Sequence, residues 1–404
     1  MRCRSLAVIV AGFLTVSIAY AIRYGYGILL PEMLITLKIS KTEAGVIYAS
    51  YFLAYTLGSP VVGLLSDRYN VRVILALFTA LLGLGAMLMA LADSVLSASL
   101  IFTVAGLGHA ACWAPVVALV QKWVPDTRRG TALAFATLGS GSGIALWSFL
   151  LPFIVAGAGW QAGWIWMGAC ACAVAVLNYL LVSNPPREES SGKFQGLNGG
   201  TDSPGKSAYW ALFRQSALWQ VGLSYALVGF TVLVPYTYLS TFAVEQLNFE
   251  YSLAARLITV IALCAIAGKV VIGILSDRLG RVPMMMVSNL LMGAGCTGMA
   301  LVAGRASIYY FTALFGLGFG AVWPVYAAAA PDFFSKKNAG AVIGLWTVFL
   351  GVGSIVSPIV CGWAIDVTQT YSPAFAAGAA ASAGAIVLLV PGFKSNAPDK
   401  REQG

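Results

Sequence analysis

The chain has very few charged residues for its length. Of its 404 residues only 10% are Asp, Glu, Lys or Arg, whereas 59% are hydrophobic and the mean hydropathy is +0.83. Soluble domains carry about 25% charged residues, so this composition excludes an ordinary soluble protein. We therefore expect the chain to be embedded in a lipid bilayer.

Residue patterns typical of enzymes are also missing. The sequence has a single histidine, no H-E-x-x-H motif, no C-x-x-C pair and no segment long enough for a sizeable soluble domain. We therefore predict that the protein is not an enzyme and needs no cofactor or metal. Its seven cysteines are scattered through apolar segments and are interpreted as small buried residues.

Apolar runs long enough to cross a bilayer recur along the chain. A helix needs roughly 20 apolar residues to cross about 30 Å of hydrocarbon. Cutting the sequence at polar breaks gives twelve predicted spans: 6–30, 44–65, 72–92, 95–121, 130–156, 160–183, 215–241, 253–275, 283–303, 306–330, 338–362 and 373–393. The one long connection, 184–214, is rich in Gly, Ser and Pro, which predicts a flexible linker.

Basic residues are distributed unequally between the two sides of these spans. With the N-terminus in the cytoplasm, eighteen of the 24 Lys and Arg fall on the cytoplasmic side and four on the outer side. This bias predicts a multi-pass protein of a plasma or inner membrane with both termini cytoplasmic. It also explains the net charge of +9 without a nucleic-acid partner.

The two halves of the sequence repeat each other at an offset of 210 residues. Three groups recur in register: 63–68 (GLLSDR) at 273–278 (GILSDR), Gly106-Leu107-Gly108 with Trp113 at Gly316-Leu317-Gly318 with Trp323, and Gly130, Gly141 and Gly143 at Gly340, Gly351 and Gly353. Such an internal repeat predicts two homologous six-helix bundles, 1–183 and 215–404, joined by the linker 184–214.

The loops after spans 2 and 8 carry a motif in duplicate. The patterns are Gly63-x-x-x-Asp67-Arg68-x-x-x-Arg72 and Gly273-x-x-x-Asp277-Arg278-x-x-Arg281. They resemble the cytoplasmic signature of the major facilitator superfamily, although Asn70 stands where a Gly is usual. The resemblance implies an all-α membrane protein with twelve transmembrane helices in two bundles that rock about one central site. It also implies that these residues form a conformational gate; the alternative is a solvated turn that obeys the positive-inside rule.

Ionisable residues inside the spans are the strongest candidates for a binding site, because a charge in hydrocarbon is costly. Arg23 and Lys269 lie inside spans, whereas all fifteen Asp and Glu lie in loops or at span ends. Two buried cations without a protein counter-ion are explained if the counter-ion is the transported molecule. The sequence therefore predicts an anionic substrate and argues against an exporter of cationic drugs.

Lys269 lies in span 8, roughly 7 Å to the cytoplasmic side of its midpoint. The pattern Gly268-Lys269-x-x-x-Gly273 resembles the eighth helix of the monocarboxylate porter and oxalate:formate antiporter families. That resemblance implies that Lys269 binds the substrate carboxylate, although an Arg is usual there and Lys lacks its bidentate fork. The alternative is a lysine that snorkels to the inner surface.

Arg23 lies roughly 7 Å to the outer side of the midpoint of span 1. It opens Arg23-Tyr24-Gly25-Tyr26-Gly27, where two glycines predict a loosened helix, and Pro235 and Tyr236 lie in the corresponding region of span 7. We expect Arg23, Tyr24, Tyr26 and Tyr236 to contribute to a substrate site. Snorkelling of Arg23 to the outer interface is the alternative.

His109, the only histidine, falls near the centre of span 4, four residues before Trp113. It is a candidate for proton coupling because imidazole titrates near neutral pH, as is Lys269; the alternative for His109 is a hydrogen-bonded core residue. Trp113 and its repeat partner Trp323 either line the cavity or pack in the core.

These observations lead to one functional hypothesis with two rivals. The hypothesis is a monomeric secondary transporter of small monocarboxylates such as lactate or pyruvate, which works by alternating access and is coupled to protons. The rivals are an anion exchanger of the oxalate/formate type and an exporter of neutral or hydrophobic compounds.

Overall fold

A computed structural model of the chain describes residues 3–124, 126–182, 212–302, 304–335 and 338–395. Within these ranges the regular structure is helical, apart from turns, and no strand is present. The helices are α1 Cys3–Leu37, α2 Lys41–Arg68, α3 Val71–Leu88, α4 Val95–His109, α5 Ala114–Trp123, α6 Asp126–Leu181, α7 Ser216–Glu245, α8 Tyr251–Leu279, α9 Arg281–Leu301, α10 Arg305–Phe333, α11 Ala339–Thr368 and α12 Ser372–Ser395. Most of the predicted linker, residues 184–211, lies outside the described residues.

These helices supply the twelve predicted membrane crossings. Eleven helical segments of the described chain are long and apolar enough to cross a bilayer. One of them lies in α6, whose 56 residues would measure about 84 Å if straight, more than twice the hydrocarbon thickness. Gly159 interrupts α6 with a φ of 77° and a ψ of 172°, which only glycine adopts easily, so α6 makes two crossings.

The apolar surface of the molecule agrees with a bilayer environment. Large apolar side chains such as Leu57, Phe153 and Trp363 are exposed on the outside of the helices. A soluble protein rarely exposes so many, whereas lipid tails solvate them without penalty. The six cysteines that the structure describes are all free and at least partly buried.

Span 4 differs from the prediction because it is not one continuous helix. Residues 110–113 form turns between α4 and α5, so His109 ends one helix and Trp113 precedes the next. Pro115 accounts for the break, since proline lacks the N–H that would bond to the preceding turn and its ring clashes with the carbonyl four residues earlier.

Spans 1 and 7 are more regular than the sequence predicts. The expected loosening at Gly25 and Gly27 is wrong, because α1 is continuous through both glycines, and α7 is continuous through Pro235. Gly27 instead permits close helix packing: a Cβ at this position would overlap the backbone carbonyl oxygen of Tyr236. The sequence signal for irregular backbone was therefore a signal for contact between α1 and α7.

The helices pack as two halves, α1–α6 and α7–α12. Within the first half, α6 packs on α1 and α3, and α4 packs on α2 and α3; within the second, α11 packs on α7, α10 on α8, and α9 on α10 and α12. Three helix pairs supply most of the contact between the halves: α1 with α7, α2 with α11 and α6 with α8. A central space between these three pairs is thereby bounded by both halves.

The halves are joined more closely at one end than at the other. We call the face at which α1 begins and α12 ends the terminal face, and the face at which α1 ends and α2 begins the distal face. Near the distal face, a Cβ at Gly45 would overlap the Pro358 carbonyl oxygen of the other half. Near the terminal face, a Cβ at Gly63 or Gly273 would have no atom of the described chain within 4 Å. The halves are therefore in close contact at the distal face, whereas the surroundings of these two glycines at the terminal face are open.

A buried polar group ties three helices of the first half together. The Asn178 side chain donates to Thr15 Oγ1 at 2.8 Å and to Thr79 Oγ1 at 3.3 Å, and Thr15 Oγ1 lies 3.1 Å from Asn178 Oδ1. All three side chains are buried, and they belong to α6, α1 and α3. Inside a membrane no water is available to replace these partners.

Replacing Asn178 with Ala should destabilise the protein without removing any residue of the central space. We expect a loss of about 0.6–1.7 kcal/mol, the range measured for interhelical hydrogen bonds in a membrane protein. The measurement is the thermal unfolding midpoint of the purified protein. Thr103→Ala is the control, because the exposed Thr103 hydroxyl bonds only to its own helix at Ser99. An unchanged midpoint in Asn178→Ala would contradict the assignment.

Candidate functional site

The central space holds a narrow cavity of about 60 Å³. Both halves line it. The first half contributes Tyr20, Arg23, Tyr24, Phe52, Tyr55 and Trp113. The second half contributes, among others, Tyr225, Leu233, Trp323, Thr347, Leu350 and Ser354. The cavity is thus largely aromatic, and Arg23 is its only charged residue among the described side chains.

Arg23 is enclosed by aromatic rings and does not reach the membrane interface. Its guanidinium carbon lies 4.2 Å from the ring centre of Tyr55, 5.1 Å from Tyr20, 5.3 Å from Phe52 and 5.8 Å from Tyr51. The residue is 3% exposed. This burial excludes snorkelling and fixes the cation at the cavity wall.

No carboxylate of the described residues forms an ion pair with Arg23, and its Nε and Nη2 atoms have no hydrogen-bond acceptor. Each cation–π contact offsets about 0.5–2 kcal/mol, whereas burying an unpaired charge costs several kcal/mol. A guanidinium with unused donors in a cavity wall has the geometry to hold an anion through two parallel hydrogen bonds.

Two of the other tyrosines of the predicted site, Tyr24 and Tyr236, lie on the distal side of the cavity. Tyr24 lines the cavity and packs on Tyr236 of α7 with tilted rings whose centres are 3.9 Å apart. Tyr26 lies away from the cavity: its hydroxyl donates to the Ala44 carbonyl at 2.8 Å, and its ring stacks on Tyr48. Tyr24 and Tyr236 thus separate the cavity from the distal face, and Tyr26 belongs to the packed core.

Trp113 and Trp323 both line the cavity, one from each half, at positions related by the 210-residue repeat. Trp113 contacts Tyr20, with ring centres 5.8 Å apart, and Trp323 meets Phe319 edge-on at 5.0 Å. Of the two interpretations left open for these tryptophans, the structure favours the cavity wall.

His109 lies behind the cavity wall. Its Nδ1 is 2.6 Å from the Tyr51 hydroxyl, and its ring packs against Tyr20 and Tyr55, which both face the cavity. The imidazole is fully buried, and its Nε2 has no hydrogen-bond partner. His109 therefore contacts the rings that enclose Arg23 but does not reach the cavity itself.

Lys269 does not line the cavity either. Its ammonium donates to the Thr137 carbonyl and the Ser140 hydroxyl of α6, both at 3.3 Å. It is half-buried in the contact between the halves, on the terminal side of the cavity, and no described carboxylate pairs with it. The structure thus separates the two cations that the sequence singled out.

The predicted gate residues lie at the terminal face and, where the structure describes their side chains, contact only their own half. Arg281 pairs with Asp277 at 3.5 Å and with Asp332 of α10 at 3.3 Å. The Arg72 guanidinium lies 4.2 Å from the ring centre of Tyr179. Arg68 and Arg278 are exposed, and the Asp67 side chain lies outside the described residues. The open surroundings of Gly63 and Gly273 agree with a parted terminal face.

Sequence reasoning missed the rings that form the Arg23 enclosure. Tyr51 and Phe52 lie four and three residues before Tyr55 on α2 and so share a face with it, and Tyr20 precedes Arg23 by less than one turn. This spacing predicts an aromatic helix face. The sequence does not predict that this face lies against Arg23, because that contact depends on how α1 packs beside α2.

A pattern in the predicted linker has the spacing of a phosphate-binding loop, G-x-x-x-x-G-K-S. It covers residues 200–207 (GTDSPGKS), which lie outside the described residues. The mechanism of that motif requires a preceding strand and a following helix within a nucleotide-binding domain, which a linker of about 30 residues cannot supply. We therefore assign it no function.

Comparison with known families gives a match over nearly the whole chain. Residues 12–265 and 252–404 match the family model described as Major Facilitator Superfamily. The crystal structure of the nucleoside transporter NupG has the same fold, with a TM-score of 0.77 at 15% sequence identity over 98% of this chain and 100% of that one.

Two relatives in sequence have names that specify an anion. The probable galactarate/D-glucarate transporter GudP of Bacillus subtilis (strain 168) is 27% identical over 97% of this chain and 93% of its own length. Monocarboxylate transporter 11 of Mus musculus is 25% identical over 90% of this chain and 82% of its own length.

Proposed function

This chain belongs to the major facilitator superfamily, and on that premise we propose that it is a secondary transporter of small organic anions. The proposed substrates are monocarboxylates such as lactate or pyruvate. Transport proceeds by alternating access, in which the cavity between the two halves opens to one face at a time.

Arg23 is the observation that carries this proposal. A buried guanidinium with two unused donors, enclosed by rings and without a protein carboxylate, gains most from an anionic ligand. A neutral substrate would leave its charge uncompensated in a low-dielectric site. The burial of Arg23 also weakens the rival exporter of neutral compounds, which rested on an interface-facing cation.

The cavity wall of the second half favours a substrate with a single carboxylate. Its cavity wall offers Val232, Leu233 and Leu350 and no cation. The hydroxyls of Thr347 and Ser354 already donate to their own helix, at Ile343 and Leu350. A second carboxylate would meet no cation in this wall, so no charge there would offset its desolvation. The relatives whose names specify carboxylates support the acidic class.

We propose that the terminal face is cytoplasmic, because most basic residues of the chain belong to that side. The structure would then be open toward the cytoplasm. In this state Lys269, between the cavity and the terminal face, is a second cation along the exit path. We therefore assign the primary anion contact to Arg23 and a secondary, guiding role to Lys269.

Proton coupling is assigned to His109. An anion bound at Arg23 offsets the positive field of the guanidinium and so favours a proton on His109, and loss of the anion favours release of that proton. Tyr51, bonded to His109 Nδ1 and packed against Arg23, links the two groups. Exchange of one anion for another is the second candidate, because no described acid lines the cavity to carry a proton.

Substitution of Arg23 should remove most transport. We expect Arg23→Gln to lower uptake of labelled lactate or pyruvate into proteoliposomes at least about 30-fold, because truncating one member of a buried charge pair costs 2 kcal/mol or more. Arg23→Lys, which keeps the charge and loses the fork, should retain an intermediate rate. Lys269→Gln should lower uptake less than Arg23→Gln does.

The matched control is Arg256→Gln, which removes one positive charge from an exposed site on α8. It should transport like wild type. Wild-type uptake by Arg23→Gln would exclude Arg23 as the anion site, and an equal or larger loss in Lys269→Gln would move the primary contact to Lys269.

His109→Gln keeps a polar side chain beside Tyr51 but cannot take up a proton near neutral pH. We expect an acid-outside pH gradient to stimulate uptake by the wild type and not by this variant, while exchange of labelled for unlabelled anion continues in both. Gradient-driven uptake by His109→Gln would remove His109 from coupling. A wild type that ignores the gradient would favour the exchanger.

A further inference from the structure

The start of α2 is completed by the other half of the molecule. The Asp366 carboxylate, near the end of α11, accepts a hydrogen bond from Lys41 N at 3.0 Å through Oδ1. Its Oδ2 accepts from Thr42 N at 2.8 Å and from Thr42 Oγ1 at 2.6 Å. These three bonds cross from the second half to the first at the distal face.

Local residues satisfy only part of this helix start. The first N–H groups of a helix have no partner within it. Ser40 and Glu43 form a capping box, in which Glu43 Oε2 accepts from Ser40 N at 2.8 Å and Ser40 Oγ accepts from Glu43 N at 3.1 Å. The two N–H groups between them, of Lys41 and Thr42, are left for Asp366. A carboxylate is the partner that a helix N-terminus favours most, because of its partial positive charge.

Lys41 has further bonds to the second half. Its ammonium pairs with Glu245 of α7 at 3.0 Å, and its carbonyl accepts from the Tyr238 hydroxyl at 3.0 Å. Gly362 of α11 permits this approach, since a Cβ there would overlap the Lys41 carbonyl oxygen. The backbone and the side chain of one residue are thus bonded to two helices of the opposite half.

The repeat does not reproduce this arrangement. Positions 210 residues away from Asp366 and Lys41 are Ala156 and Tyr251, so no carboxylate stands on α6 at the position equivalent to Asp366. Tyr251 there donates to the Ile28 carbonyl at 2.9 Å, a neutral contact. The charged junction therefore occurs on one side of the pseudosymmetric molecule.

From these contacts we propose that Asp366 is a latch that holds the distal face closed in the transport cycle. Opening the distal face separates α2 from α11, breaks all three bonds and exposes the N-terminus of α2. The latch therefore biases the equilibrium toward the state that is open at the terminal face, and its removal raises the population of the distal-open state. Asp366 touches no residue of the cavity wall, so its role is positional.

The test measures the distance across the distal face in the full-length protein. Spin labels are attached at Thr36→Cys and Thr370→Cys, exposed positions of the first and second half, in a variant whose seven native cysteines are replaced. Double electron–electron resonance in nanodiscs without substrate gives the distance distribution. The experiment needs no anion and therefore tests the latch separately from the proposed function.

We expect the wild type to give mainly the short distal distance. Asp366→Asn should raise the ratio of long to short distances at least tenfold, and Thr42→Val, which loses one of the three bonds, should shift it in the same direction by less. Glu250→Gln neutralises an exposed distal acid whose side chain has no hydrogen bond or ion pair to the described residues of the first half, and it should match the wild type. Distributions for Asp366→Asn and Thr42→Val that equal those of wild type and Glu250→Gln would overturn the proposal.

Discussion

A positive charge buried without a negative partner imposes the main constraint on this structure. Arg23 lies on a continuous helix in the middle of the molecule, and its guanidinium is held by four rings while two of its N–H donors point at no acceptor. Cation–π contacts with the rings offset only part of the free energy that is needed to remove the ion from water. Under the proposed function an anion completes the site, and it enters between the two halves, where Arg23 meets the cavity.

The two halves of the molecule contribute differently to this site. The first half supplies the charge, and the second supplies a neutral wall of apolar and aromatic side chains. An anion bound to Arg23 thus contacts both halves and can favour one relative arrangement over the other. On the distal side the arrangement in this structure is held by close packing at Gly27 and Gly45 and by the contacts of Asp366. At the terminal face the surroundings of Gly63 and Gly273 are open.

The sequence predicted the parts of this account that depend on composition and on local patterns. The crossings follow from apolar length, the relation of Trp113 to Trp323 follows from the repeat, and the unpaired Arg23 follows from the absence of acids in the spans. The sequence did not predict the features that depend on packing between helices. Gly25 and Gly27 predict a loosened helix, whereas the helix is continuous and Gly27 allows close contact with α7. The break in span 4 is a local effect of Pro115. That Lys269 bonds to α6 and not the cavity depends on the angle between two helices, which no local pattern encodes.

The central claim is that Arg23 binds the transported anion, and ligand-dependent stabilisation tests it most directly. A ligand that binds the folded protein raises its unfolding midpoint with concentration. Purified wild type should show a rising midpoint with lactate or pyruvate at constant ionic strength and no rise with a neutral analogue such as lactamide, and Arg23→Gln should show no rise with any of them. Equal stabilisation of Arg23→Gln and wild type by the carboxylates would contradict the account.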